Sequence, residues 1–182
     1  GAFGPLQGLF FFASPVVEAV GSFSAGDEAV LLPIRNRLAS AAICYEIVYP
    51  ALVPFEGSNL SVGRGTDLPF QRIGASWLDA KKVAGLLEER GLSGVRFVAE
   101  RFTPVRPGDA KFAGKEIPCV RIVVEQRDRV KVARVGTAIL WAVHKVHPDS
   151  LRLTARTVDL RLGVAWAREA LLRGDDPDEV ID

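Results

Sequence analysis

The chain has 182 residues, 48% of them hydrophobic and 25% charged, with 23 Lys and Arg against 22 Asp and Glu. That length can bury a sizeable core in one domain or one and a half. The net charge of +1 gives no electrostatic case for nucleic acid or an anionic membrane surface.

Near the start, Leu9-Phe10-Phe11-Phe12-Ala13 is strongly apolar, but Ser14 and Pro15 end the run well short of the roughly twenty residues a membrane span needs. No basic leader or cleavage pattern of a secretory signal accompanies it, so it reads as a core segment. Ala29–Ile34 and Ala39–Val48 read as buried strands bounded by Gly-Asp and Asn-Arg turns. Residues 54–70 form a polar, glycine-rich loop. Asp79 is placed to cap a helix running through Arg90, with Val83, Leu86 and Leu87 on one face and Gly91 at its end. Gly94–Thr103 alternates Val95, Phe97 and Ala99 with Arg96 and Glu100, which suits a strand with one covered face. Thr103–Gly114 is a loop, Pro118–Glu125 a second strand, and Val130–His147 a helix stopped by Pro148. Asp159–Arg173 reads as one further helix ended by Gly174, and Asp176-Pro177 as the start of a short last one. The pattern predicts a mixed α/β (α+β) domain, a small layered sheet with helices.

Few residues here have the spacing of a catalytic or metal centre. Cys44 and Cys119 are too few for a disulfide framework and fit no metal site. His144 and His147 lie in the helical stretch with no carboxylate or third ligand nearby, and read as surface or helix C-terminal histidines. No metal and no cofactor is expected. Cys119 lies on an apolar strand and reads as packing.

The run Phe55-Glu56-Gly57-Ser58-Asn59-Leu60-Ser61-Val62-Gly63-Arg64-Gly65-Thr66 carries the most chemistry, and no helical or strand period fits it. Its glycines let the backbone reach positive φ and bring main-chain N–H groups close to a ligand. Glu56, Asn59, Ser61, Arg64 and Thr66 supply an acceptor, an amide, two hydroxyls and a forked cation, an inventory suited to a polyhydroxylated or anionic ligand. The same residues also fit a second reading, an ordinary tight loop closed by an Arg64–Glu56 pair.

Glu56 to Phe70, followed by Ile73-Gly74-Ala75-Ser76-Trp77-Leu78-Asp79, resembles the exo-β-N-acetylmuramidase family. The resemblance continues through Leu92–Phe97, Arg101-Phe102-Thr103-Pro104 and Cys119-Val120-Arg121-Ile122, and spans about residues 54–182. Residues 107–117 keep only a loose copy of the family's segment, and Val120 stands where the family has glycine. The resemblance implies a hydrolase that removes terminal N-acetylmuramic acid from peptidoglycan fragments, in the cell envelope or outside the cytoplasm. It also implies a two-part enzyme, of which residues 54–182 are the smaller, substrate-side C-terminal part. The catalytic carboxylate is then expected in the other part, so this segment alone is expected to bind rather than hydrolyse. A peptidoglycan-derived sugar or muropeptide is the implied partner. Glu56, Asn59, Ser61, Arg64 and Thr66 become candidate substrate-binding residues, with Arg64 reading the lactyl carboxylate.

Residues 1–53 differ. Val20–Gly26, Leu31–Ile34 and Ala41-Ala42-Ile43-Cys44-Tyr45-Glu46-Ile47-Val48-Tyr49-Pro50 resemble the nitrilase-like domain of apolipoprotein N-acyltransferases. That resemblance implies a nitrilase-like remnant and an alternative function in which Cys44 is the acyl-accepting nucleophile. The family's glutamate and lysine partners fall upstream of Gly1. A thiol without a neighbouring base or cation stays largely protonated at neutral pH, so an inert Cys44 is the plainer expectation. A third alternative is a non-catalytic sugar-binding or vestigial domain.

Overall fold

The computed structural model describes residues 47–181. The strand expected at Ala29–Ile34, most of the one expected at Ala39–Val48, and Cys44 lie outside them. Where the second expectation enters the described residues it is corrected: residues 47–52 are helical and run into a 3-10 turn, Val53–Gly57, with Pro54 at its start. Val48, Ala51, Leu52 and Phe55 are all buried. Their spacing of three and four marks one face of a helix, whereas a strand would alternate in twos.

Among the described residues the sheet has three strands, β1 (Arg72–Gly74), β2 (Val95–Phe102) and β3 (Ile117–Val124), in the order β1-β3-β2 and antiparallel throughout. Val95 pairs with Val124 and Phe102 with Ile117, so the register keeps Phe97, Val120 and Ile122 in the core with Ile73 of β1. β1 has no signature in the local pattern of residues. It is only three residues long, all buried, and shows no alternation to read.

Helix α1 (Ala80–Glu89) begins as expected, with the Asp79 carboxylate accepting from the Lys82 amide at 3.1 Å. It buries Val83, Ala84 and Leu87 and Leu86 is partly buried against the same core. The Glu88 carboxylate accepts from the Phe97 amide on the outer edge of β2. Helix α2 (Val132–Val146) buries Val135, Ala138, Ile139, Ala142 and Val143. Full burial of one such aliphatic side chain contributes roughly 1.5–3 kcal/mol. The start of α1 and the end of α2 are joined by the Asp79 amide donating to His147 Nε2 at 2.8 Å, beside the edge of Trp77.

The helix expected over Asp159–Arg173 is two helices, α3 (Ala155–Leu162) and α4 (Ala165–Arg173). Gly163 breaks them: its φ of 81° is left-handed, its amide closes onto the Asp159 carbonyl, and Val164 is extended. A glycine in this conformation ends a helix. Arg168 of α4 then grips Asp159 of α3 through two bonds of 2.6 and 3.1 Å. The short last helix expected from Pro177 is a run of turns, held by Arg90, which bonds Asp176 at 2.6 Å and Asp178 at 2.7 Å. Among the described residues no helix is long and apolar enough to cross a membrane. The mixed α/β class expected from the sequence is the class observed.

Candidate functional site

The glycine loop is a folded unit. Ser61 and Gly74 exchange two main-chain hydrogen bonds of 2.8 and 2.9 Å, and the Phe70 amide donates to the Val62 carbonyl at 2.7 Å. The segment therefore returns on itself toward β1. Gly63 and Gly65 turn it with φ of 78° and 76°, and Leu60, Ser61 and Val62 are fully buried.

Three of the five candidate side chains are engaged in holding this shape. Asn59 Nδ2 donates to the Ser150 carbonyl at 2.8 Å, and its Oδ1 accepts from the Arg152 amide at 3.0 Å, tying the loop to the chain before α3. Ser61 Oγ accepts from the Gly63 amide at 3.3 Å. Thr66 Oγ1 donates to the Gly63 carbonyl at 2.7 Å and accepts from the Leu68 amide at 3.2 Å.

The other two form the centre of a charged cluster. Glu56 Oε1 accepts from Arg64 Nε at 2.9 Å and also from Arg64 Nη2, while Oε2 accepts from Arg161 Nη2 of α3 at 3.3 Å. The Arg64 guanidinium lies over the Phe70 ring, 4.8 Å from its centroid. Lys111, from the loop between β2 and β3, donates to the main-chain carbonyls of Leu60 at 3.0 Å and Glu56 at 3.3 Å. Burial pulls the Lys111 ammonium below the ordinary lysine range, opposed chiefly by Asp109 and then by Glu56. All four side chains keep between 21% and 30% of their surface exposed, so the cluster is held in place and still reached by solvent.

The Arg64–Glu56 pair was one of the two readings open in the sequence, and it is present. Arg161 and Lys111 were not anticipated, since no local pattern links residues 105 and 55 positions from Glu56. The loops meet through a main-chain bond, with the Val105 amide donating to the Gly65 carbonyl at 2.8 Å.

Other candidates supply no chemistry. Cys119 is buried, and burial pushes its thiol up to about 11, which leaves it a poor nucleophile at neutral pH. His144 lies in the last turn of α2, and His147 caps it while accepting from Asp79. Among the described residues no group of three or more His, Cys, Asp or Glu could hold a metal ion.

This arrangement of a three-stranded sheet, flanking helices and a folded glycine loop has solved counterparts. A DUF1343 family protein from Bacteroides fragilis superposes with a TM-score of 0.66 at 21% identity, over 75% of this chain and 36% of that one. That likeness defines the fold class as the one built in that family. In sequence, the peptidoglycan beta-N-acetylmuramidase NamZ of Bacillus subtilis is 31% identical over 136 residues. Those residues make up 74% of this chain and 32% of the relative. Residues 47–182 match the family described as exo-beta-N-acetylmuramidase NamZ, C-terminal, and the chain belongs to that family. It spans about a third of the length of the curated relative it matches.

Proposed function

We propose that this domain is the substrate-side part of a peptidoglycan exo-β-N-acetylmuramidase and that the glycine loop holds a terminal N-acetylmuramic acid. The supporting observation is the cluster around Glu56, in which the loop that carries the family resemblance presents Arg64 at a solvent-reached surface. A guanidinium is the side chain best fitted to pair with a carboxylate through two parallel bonds, and the lactyl carboxylate is what separates muramic acid from glucosamine. Glu56 orients Arg64, while Asn59, Ser61 and Thr66 set the loop's shape and the direction of its main-chain N–H groups. Both oxygens of Glu56 accept from arginines, which suits an orienting carboxylate better than a proton donor. Glycoside hydrolysis ordinarily uses two opposed carboxylates, so we assign this domain binding and leave the bond-breaking carboxylate to another part of a complete enzyme.

The reading places the protein at the cell envelope, with a muropeptide or free muramic acid as ligand. Val48, Ala51 and Leu52 share one core with α2, and the family match starts at residue 47. We therefore put the start of the domain no later than residue 47, ahead of the boundary at residue 54 expected from the sequence. The family match and the Bacillus relative favour this reading over an acyltransferase built on Cys44.

The test is a titration of N-acetylmuramic acid and N-acetylglucosamine into the ¹⁵N-labelled chain. Amide shifts across residues 56–66 and a dissociation constant of roughly millimolar are expected, because little area is buried. Muramic acid should bind the tighter, and Arg64→Lys should shrink the difference by removing the fork. Shifts confined to other residues, or none at saturation, would refute the assignment.

A further inference from the structure

We infer that Lys111 and Arg161 join Arg64 in a single cationic cradle that makes the site select an acidic sugar over a neutral one. This rests on the sugar-binding reading above and adds residues from two distant segments, one of them within the stretch that keeps only a loose copy of the family pattern.

The position of Lys111 is the first ground. Its Nζ reaches two main-chain carbonyls, which a water or an amide would satisfy without burying a charge. Burying an ammonium is unfavourable unless a close counter-charge offsets it. The nearest carboxylate oxygen, on Asp109, is 3.9 Å away, and Asp109 Oδ2 is itself buried with no hydrogen-bond partner. The charge of Lys111 is therefore only loosely compensated. Arg64, Arg161 and Lys111 lie within electrostatic range of one another, and the carboxylates opposing Lys111 there are Glu56 and Asp109. Among the described residues, three cations of this cluster face two carboxylates, an excess of positive charge.

The loop that carries Lys111 supplies the second ground. Arg106, Ala110 and Phe112 all adopt left-handed backbone, with φ of 48°, 57° and 54°. For residues with a Cβ this conformation is unfavourable. Such strain persists where the surroundings fix the geometry. Here the surroundings are the glycine loop itself, which receives Val105 on the Gly65 carbonyl and Lys111 on the Glu56 and Leu60 carbonyls.

Arg161 completes the cradle. It gives Nη2 to Glu56 and Nη1 to the Thr157 carbonyl, and its Nε makes no hydrogen bond among the described residues. A neutral sugar gains little from a surplus positive field, whereas a carboxylate placed against it gains from all three cations.

The experiment uses the whole chain and both sugars, N-acetylmuramic acid and N-acetylglucosamine. Lys111→Met and Arg161→Gln should each reduce the preference for the acidic sugar by about threefold to tenfold, the size of a partly screened charge interaction. Lys111→Arg, which keeps the charge, should retain it. In the unaltered chain the ¹³Cε titration of Lys111 should move to higher pH with N-acetylmuramic acid and stay put with N-acetylglucosamine, and this readout decides the matter if a variant fails to fold. An unchanged preference in both neutral variants, or a Lys111 titration indifferent to the acidic sugar, overturns the cradle while leaving sugar binding intact. Failure of the unaltered chain to bind either sugar overturns both.

Discussion

Gly65 is where the two loops of the site meet, and replacing it with alanine separates the terms that hold them together. Its φ of 76° is left-handed, and an added Cβ would lie 2.6 Å from the Val105 carbonyl oxygen and 3.0 Å from the Pro107 nitrogen. The first term is the backbone cost of a Cβ in that region, about 1 kcal/mol. The second is the clash with main chain that cannot swing aside, comparable to overpacking at about 1–3 kcal/mol. Gly91 supplies the control, because its φ is 61° and nothing lies within 4 Å of the Cβ position. Gly91→Ala should carry the first term alone. Together these give about 3 kcal/mol for Gly65→Ala against about 1 kcal/mol for Gly91→Ala. Thermal midpoints should then fall by roughly 6–12 °C and 2–4 °C, using about 2–4 °C per kcal/mol at this chain length. Urea melts of the two variants beside the parent measure the difference directly. Equal losses would show that the 103–114 loop yields freely at Gly65, and the rigid contact claimed between the loops would be wrong.

Two further outcomes follow from titratable groups. Burial holds His147 below its ordinary value of 6.5, with Lys82 acting the same way and Asp79 against, so folding favours the neutral ring that accepts from the Asp79 amide. Its contribution is complete above pH 6.5 and is lost as pH falls from there through the lowered folded value. The urea midpoint should therefore drop between pH 7.5 and 5.5 by more in the parent than in His147→Gln, and parallel curves would contradict this. Cys119, buried and pushed up to about 11, should resist a thiol reagent at pH 7.5 in the folded chain and react promptly in urea. Peptide mapping that finds Cys119 rapidly modified under native conditions would overturn its role as packing.

Much of the fold could be read from local pattern. α1 lies between its Asp79 cap and Gly91, β2 and β3 fall within a residue or so of the alternating and apolar runs, and α2 lies within the stretch stopped by Pro148. Each of these signals sits inside its own element. What escaped depends on partners elsewhere. β1 is too short to show a period and exists because β3 pairs with it. The elbow at Gly163 was absorbed into one long helical pattern, since a lone glycine within such a pattern does not say whether it bends the chain. The site divides in the same way. Arg64 and Glu56 are eight residues apart in one loop and were read as a possible pair. The main-chain groups that hold the Asn59 side chain, and the arginine and lysine that reach Glu56, come from residues 150 and 152, 161 and 111.

The Glu88 carboxylate on the Phe97 amide has a bearing on how molecules of this protein behave beside one another. Among the described residues β2 is an outer strand of eight residues, a length at which an edge can template a strand from another molecule. Glu88 fills one position on that edge from within the same chain, and its negative charge stands where an incoming carbonyl would have to dock. Arg96 and Arg101 on the same strand are half-exposed and ion-paired with Glu125 and Glu116, which flank β3. A carboxylate bonded along a strand edge in this way works against edge-to-edge growth into fibrils.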